Sequence, residues 1–182
     1  MLDETKNNYI CSLCYREGGI GLCFADVSTG ELYADQITAS DASALSHLLL
    51  NRLARYRPSE ILLDPQAADL TELRDFIRDR LHASVECMEL SLYRDLPAAE
   101  EKVSRQFGNR SMAELLLSDK PLTVFSLNAL LGYLAQTQIN GLERLSEVEL
   151  DLDSAAMGLD ITARRNLELT ETMRNKEKRG SL

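Results

Sequence analysis

Residues 9–37 read YICSLCYREGGIGLCFADVSTGELYADQI, and this stretch decides the fold. Three short apolar segments are separated here by two glycine-containing turns, GGIG and STG. The segments span residues 9–16, 22–27 and 31–37. Short apolar segments joined by such turns are typical of neighbouring antiparallel strands, so the stretch predicts a three-stranded meander. Apolar residues occur on both faces of these strands, which predicts a partly covered sheet.

Beyond the meander, helical and strand-like periods alternate along the chain. The predicted elements are a helix over residues 41–56, a strand over 60–63, a helix marked by Leu70, Leu73, Ile77 and Leu81, a strand over 84–89, and a helix after Pro97. Alternating strands and helices favour parallel pairing through right-handed crossovers. A three-stranded meander followed by two crossover strands is the layout of a ribonuclease H-like α/β domain.

The sequence becomes mainly helical after about residue 110. A long helix is predicted over residues 121–138, followed by a strand near residues 148–152, its partner strand at 157–160, and a last helix from about residue 161. We place a boundary at Ser118–Pro121. The chain then consists of an α/β domain over residues 1–117 and a mainly helical, truncated domain over residues 118–182.

Charge and hydropathy limit the functions open to this chain. It has 182 residues, with 20 Lys or Arg against 29 Asp or Glu, and a net charge of −9. This balance argues against a free-standing nucleic-acid-binding domain, because affinity for phosphates comes from clustered cations. No apolar run approaches the ~20 residues of a membrane span, and the polar start MLDETKNN differs from a signal peptide. We therefore expect a cytoplasmic protein without membrane contact.

Four cysteines raise the question of a metal or redox site. Cys11 and Cys14 form a Cys-x-x-Cys motif, with Cys23 and Cys87 further along. The motif lies in a predicted strand, where residues three apart point to opposite faces, whereas a zinc site needs both sulfurs to converge. Buried, reduced thiols are therefore the favoured interpretation, and metal or redox chemistry is the alternative.

Two carboxylates could give this fold an enzymatic role. Nucleases of ribonuclease H-like architecture use convergent carboxylates to hold two metal ions. Asp26, near the end of the second strand, and Asp64, after the fourth, are the candidates for a metal-dependent nuclease. Both also precede typical turn sequences, where short polar side chains bind nearby backbone amides. Turn stabilisation is the favoured interpretation, and the nuclease is the alternative.

Several blocks of this sequence match one known family. The most specific block is MGLDITARRNLEL at residues 157–169. The other blocks are NNYI at 7–10, ADVSTGE at 25–31, QFG at 106–108, LLGYLAQTQ at 130–138 and KRGSL at 178–182. They cover nearly the whole chain in the right order. The chain resembles the MutS family of DNA mismatch repair proteins, from the start of the connector domain into the core domain.

This resemblance implies a noncatalytic piece of a larger protein. It makes residues 1–117 the connector and residues 118–182 the first part of the core. MutS proteins read mismatched DNA with a Phe-x-Glu motif and hydrolyse ATP, with Mg²⁺, at a P-loop; neither motif occurs in this sequence. We therefore expect no cofactor in this chain. ATP, Mg²⁺, mismatched DNA and homodimer formation would belong to the full-length protein.

The resemblance also implies a mechanical and associative role, in which the connector relays conformational change and helps to dock a MutL-like protein. Ala99, Val103 and Phe107 share one face of the third predicted helix, so Glu101 and Arg105 face outward. We expect Glu101 and Arg105 to form part of the docking surface. A helix face that is merely solvated is the alternative.

Overall fold

The computed structural model describes residues 8–137 and 141–150, which form a six-stranded mixed sheet with helices on both faces. The strands are β1 (Ile10–Arg16), β2 (Gly19–Asp26), β3 (Glu31–Thr38), β4 (Glu60–Leu63), β5 (Ser84–Cys87) and β6 (Glu149–Leu150). The helices are α1 (Ala42–Tyr56), α2 (Pro65–Ala68), α3 (Thr71–Phe76), α4 (Leu96–Gln106) and α5 (Pro121–Thr137). Short 3₁₀ turns lie at Leu90–Tyr93 and Leu142–Arg144. None of the helices in these ranges is long and apolar enough to span a lipid bilayer.

The strand order confirms the ribonuclease H-like prediction. The order across the sheet is β5-β4-β1-β2-β3-β6. β1, β2 and β3 form the predicted antiparallel meander, and β4 and β5 continue the sheet in parallel with β1. β6, a short part of the strand predicted near residue 150, pairs in parallel with β3 and so extends the opposite edge.

The central strand β2 is buried on both faces, whereas every residue of the edge strand β5 is exposed, so the sheet is partly covered at that edge. Every residue of β2 is buried, and its side chains alternate between two separate apolar clusters. Cys23 and Ala25 pack beneath α4 and α5. Leu22 and Phe24 pack beneath α1 and α3. Apolar residues on both faces of β2 therefore indicate a central strand that is covered on both faces.

The GGIG sequence is mostly strand, where a turn was predicted. The turn is made by Glu17 and Gly18, with Gly18 at a φ of +85°, and β2 already begins at Gly19. Gly21 serves a different purpose. A Cβ at Gly21 would overlap the backbone of Leu122 and Thr123, so the missing side chain lets α5 lie directly against the sheet.

α5 belongs to the same packed unit as the sheet. Val124, Leu127 and Leu131 are buried in the cluster that also contains strand residues Cys23 and Ala25. The compact unit continues to Leu150. The domain boundary predicted after residue 117 therefore falls inside this packed unit, between the sheet and the helix α5 that covers one of its faces.

The second predicted helix is shorter than its leucine spacing indicated. α3 ends at Phe76 and continues as a π-helical turn over Ile77–Leu81, and His82 then adopts a left-handed conformation with a φ of 54°. This wide turn leads the chain into β5. The blocks at residues 157–169 and 178–182, the strand at 157–160 and the last predicted helix lie outside the described residues.

Candidate functional site

Asp26 stabilises the end of β2 through hydrogen bonds. Its Oδ1 accepts from the backbone N–H of Ser28 at 3.0 Å and from the Ser28 hydroxyl at 2.6 Å, and its Oδ2 accepts from the N–H of Asn8 at 3.1 Å. Burial acts to raise the pKa of Asp26, but these hydrogen bonds outweigh it and hold the pKa below its usual value. The carboxylate therefore organises a turn, as the favoured interpretation predicts.

Asp64 has a similar structural role at the other candidate position. It is fully buried, and its Oδ1 accepts from the backbone N–H groups of Ala67 and Tyr15, each at 3.0 Å. The first of these bonds caps α2, which begins at Pro65. The Oδ2 of Asp64 lies 2.5 Å from the guanidinium of Arg16. The contacts with Tyr15 and Arg16 hold the end of β4 against β1, and the contact with Ala67 holds the start of α2.

The two carboxylates lie at opposite ends of the strands, so they do not form the shared metal site that the nuclease alternative requires. β1 pairs Ile10 with Ala25 at one end and Leu13 with Leu63 further along. Asp26 is thus level with the residue before β1, whereas Asp64 is level with Cys14. At about 3.3 Å per residue, roughly 16 Å separates them along the strand, whereas paired metal ions lie about 4 Å apart. In residues 8–137 and 141–150, no group of three or more His, Cys, Asp or Glu could hold a metal ion.

Three of the four cysteines are buried free thiols, as predicted. Cys11 packs under α1, while Cys14 packs against Tyr93 and Ala129 on the other face. Burial raises the pKa of Cys14 to about 12, which keeps the thiol protonated and unreactive. Cys87 is the exception, since it is exposed at the end of β5. The prediction of a buried thiol fails there because β5 is an edge strand.

α4 places the predicted docking residues on an open surface. Asp95 caps the helix by accepting from the N–H of Ala98 at 3.1 Å. Ala99, Val103 and Phe107 are buried on its inner face, as predicted. On the outer face, Glu101 and Arg105 form an ion pair of 2.6 Å, and their side chains are 65% and 68% exposed.

A shallow groove of about 270 Å³ borders this ion pair. Its polar lining comes from Ser91, Asp95, Glu101, Lys102, Arg105 and Asn128. Asn128 belongs to α5 and donates its side-chain amide to the carbonyl of Leu92 at 2.9 Å, which fixes the floor of the groove. Mixed charge on a rigid floor suits a polar protein surface more than a small apolar ligand.

The end of α4 is held by Gln106, a residue that the helical spacing alone did not single out. Its side-chain amide donates to the carbonyls of Leu142 and Leu145, at 3.1 and 2.8 Å. Phe107 follows and is buried, and Gly108 leaves the helix with a φ of +80°. The QFG block therefore joins α4 to the segment that leads into β6.

Comparisons with known proteins identify the domain family. The family model for MutS domain II matches residues 8–149, a region that includes α5 and the first residue of β6. The DNA mismatch repair proteins MutS of Caldanaerobacter subterraneus subsp. tengcongensis and Ruminiclostridium cellulolyticum are each 35% identical to this chain, and that of Lachnoclostridium phytofermentans is 32% identical. These matches cover 100% of this chain and 19–20% of the relatives, so the chain spans about a fifth of their length.

A solved structure is also similar. It is a Fowlpox virus resolvase in complex with Holliday junction DNA, with a TM-score of 0.46 and 14% identity, covering 71% of this chain and 99% of that chain. The match to the domain family spans most of the present chain and coincides with the sheet. The chain belongs to the MutS domain II family, the connector domain of DNA mismatch repair proteins.

Proposed function

We propose that this chain acts as a noncatalytic connector within a full-length mismatch repair protein, where it transmits movement between the mismatch-binding part and the core and ATPase parts. The observation that carries the proposal is the match of domain II to one continuous packed unit. A domain that transmits movement must itself stay rigid, because displacement is otherwise absorbed inside it. Mismatched DNA, ATP with Mg²⁺, and homodimer formation belong in this proposal to other parts of the full-length protein, in the cytoplasm.

The packing of α5 supports a rigid connector. Buried hydroxyl groups fasten this helix to the sheet at several points. Ser126 donates to the carbonyl of Gly21 at 2.7 Å, and Thr123 donates to the carbonyl of Asp35 at 2.6 Å. Ser12, on β1, donates in turn to the carbonyl of Ser126 at 2.8 Å. These bonds fix the position of the helix along the strands as well as its distance from them.

The proposal includes docking of a MutL-like protein at the outer face of α4. Glu101 and Arg105 are exposed there, beside the 270 Å³ groove, on a helix whose inner face is anchored by Val103 and Phe107. A rigid helix that presents both signs of charge can orient a partner through complementary charges. An exposed ion pair adds little to folding stability, so changes to it report mainly on binding.

Capture of the purified MutL-like partner by the full-length protein tests this surface. The variant exchanges the two charges, Glu101→Arg with Arg105→Glu, which keeps an ion pair on the helix but inverts its polarity. We expect capture to fall by about tenfold or more, since inverted charges oppose the partner's surface. The matched control exchanges Arg110 and Glu147, an exposed ion pair of 2.9 Å elsewhere on the domain. Undiminished capture by the Glu101/Arg105 variant, or equal loss in the control, would remove this surface from the proposal.

The noncatalytic role has its own test, separate from partner binding. The chain is incubated with branched and duplex DNA in the presence of Mg²⁺ or Mn²⁺, the ions that carboxylate nucleases use. We expect no cleavage, and no difference between the unaltered chain and Asp26→Asn or Asp64→Asn variants. Cleavage that disappears in either variant would restore the nuclease alternative.

A further inference from the structure

The two edges of the sheet differ in how they are covered. At the β3 edge, β6 pairs in parallel through Tyr33–Glu149 and Ala34–Leu150. At the other edge, β5 pairs with β4 and is the last strand within residues 8–137 and 141–150. All four residues of β5 are exposed. An open edge of this kind is a template for the addition of another strand.

The hydrogen bonds around β5 show which backbone groups point outward. The N–H of Ser84 donates to the carbonyl of Ser59 at 3.0 Å, and the N–H of Met88 donates to the carbonyl of Leu63 at 2.8 Å. Hydrogen-bonding direction alternates along a parallel strand, so residues 84, 86 and 88 bond inward. Val85 and Cys87 therefore direct their N–H and C=O groups away from β4, where an added strand could bond them.

The two faces of this edge differ in chemistry. On one face, Val85 and Cys87 border a cavity of about 450 Å³ whose floor includes Leu63 and Ile77. This cavity is open to apolar side chains from an adjacent strand. Its wall also includes Arg74, Arg78 and His82, so the basic side chains of an incoming strand belong on the opposite face.

The opposite face of the same edge is acidic. The strand register pairs Glu60 with Ser84 and Leu62 with Glu86, so Glu60 and Glu86 share one face. Both carboxylates act on one phenol of α5. The hydrogen bond between Tyr133 and Glu60, partial burial of the phenol and the negative charges of Glu60 and Glu86 together raise the pKa of Tyr133 to about 12. Two negative groups beside an open backbone edge favour basic side chains on an incoming strand.

We propose that β5 docks an extended segment of a partner protein in which apolar and basic residues alternate. The segment adds a strand beside Val85 and Cys87, places its apolar side chains in the 450 Å³ cavity, and places its Lys or Arg side chains over Glu60 and Glu86. A second copy of this chain fits less well, because pairing β5 with β5 brings two Glu86 carboxylates onto one face. The proposal does not depend on the Glu101–Arg105 surface.

A synthetic peptide tests the docking directly. The probe is fluorescein-labelled Lys-Val-Lys-Val-Lys-Val-Lys with an amidated C-terminus, titrated with the whole 182-residue chain and followed by fluorescence anisotropy. The matched peptide has the same composition, with its lysines and valines grouped rather than alternating. We expect the alternating peptide to bind at least about tenfold more tightly, because only alternation satisfies both faces at once. In ¹⁵N–¹H spectra, its addition should shift the amide signals of Val85 and Cys87.

Two variants separate backbone pairing from charge. Val85→Pro removes an outward N–H and leaves the inward bonds of β5 intact, and Val85→Thr is its control because it keeps the N–H. Proline should weaken binding by about tenfold, as expected for the loss of an edge hydrogen bond and its neighbour. Glu86→Gln keeps the size of an exposed side chain and should weaken binding and reduce its dependence on salt.

Several results would overturn the proposal. One is equal affinity of Val85→Pro and Val85→Thr for the alternating peptide, provided both keep the thermal midpoint of the unaltered chain. Another is unchanged binding by Glu86→Gln, which is informative even where the proline variant is unstable. Equal affinity of the alternating and grouped peptides would show that the lysines bind through general charge attraction and not by adding a strand to β5. Self-association of the chain that Val85→Pro abolishes would make a second copy the occupant.

Discussion

The two faces of the sheet are covered in different ways, and the difference begins in β2. Along this strand, the residues beneath α5 are small, namely Gly19, Gly21, Cys23 and Ala25, and the residues beneath α1 and α3 are large, namely Ile20, Leu22 and Phe24. Small side chains let a helix backbone lie close to the strands. Large side chains hold the helices further away and must interlock with them.

The size of the β2 side chains determines how closely the helices pack on each face of the sheet. On the α5 face, backbone and buried hydroxyl groups meet directly, as in the bond from Ser126 to Gly21. On the other face, a cavity of about 340 Å³ lies between α1 and α3, lined in part by Ile20, Leu45 and Leu73. Side-chain size along one strand thus separates a tightly docked layer from a looser layer. The tight layer suits the transmission of movement that we propose for the connector.

We expect the largest loss of stability from adding one methyl group to the sheet beneath α5. Gly21→Ala places a Cβ against the backbone of Leu122 and Thr123, which only a shift of α5 can relieve. We expect the free energy of unfolding to fall by about 4 kcal/mol or more, the range of severe core damage. Urea unfolding of the 182-residue chain gives this value.

Gly19→Ala is the matched control for that substitution. It lies on the same face of the same strand, but its Cβ would meet the flexible end of the Leu122 side chain at 3.1 Å. We expect a change of about 1 kcal/mol or less, because a side-chain end can move aside. Equal losses from Gly19→Ala and Gly21→Ala would contradict the argument that α5 is seated through its backbone.

Substitution of one buried leucine on each face of the sheet compares the packing of the two faces directly, with a smaller expected loss of stability than Gly21→Ala. Leu127→Ala removes a fully buried side chain of α5, and Leu45→Ala removes a buried side chain of α1 that borders the 340 Å³ cavity. Buried Leu→Ala substitutions cost about 2–5 kcal/mol, depending on how tightly the side chain is packed and on how far the site can relax. We expect Leu127→Ala near the upper end and Leu45→Ala near the lower end. Calorimetry and urea unfolding measure both, and an equal or reversed order would contradict the contrast between the two layers.

Much of this fold could be predicted from local sequence. The meander, the crossover strands and the apolar face of α4 follow from spacing, because the period of a strand or helix is written in neighbouring residues. The position of α5 could not be derived in that way, since helical spacing predicts a helix but not what it packs against. The signal was present in β2, where small and large residues alternate strictly between Gly19 and Ala25.

The candidate carboxylates show a limit of a different kind. Asp26 ends one strand and Asp64 directly follows another, so local sequence alone does not distinguish them. The predicted topology already distinguishes them, because β2 runs antiparallel to β1 and β4 runs parallel to it. The C-terminal residues of β2 and β4 therefore lie at opposite ends of the strands, not at one end of the sheet. The bonds from Ser28 to Asp26 and from Ala67 to Asp64 follow from local turn sequences. Each carboxylate also contacts a residue distant in sequence, Asn8 for Asp26 and Arg16 for Asp64, and no local pattern predicts those contacts.

We expect the smallest effect in the pH dependence of the free energy of unfolding, for which Asp26 on β2 and Asp35 on β3 can be compared. Burial opposes ionisation of Asp26, but its hydrogen bonds lower the pKa of this carboxyl in the folded state. The Asp26 carboxylate therefore stabilises the fold above the unfolded-state pKa of about 3.9. This stabilisation is lost as the pH falls through the folded-state pKa. The pKa shift of Asp35 has the opposite sign, because burial raises the pKa of this carboxyl despite the ion pair of 2.8 Å with Arg52. Protonation of Asp35 at acidic pH therefore favours the folded state. In urea unfolding between about pH 6 and pH 3, the stability difference between the unaltered chain and Asp26→Asn, about 1 kcal/mol, should shrink as the pH falls. A difference that stays constant or grows toward acid pH would show that the Asp26 carboxylate is not held in its charged form by the turn.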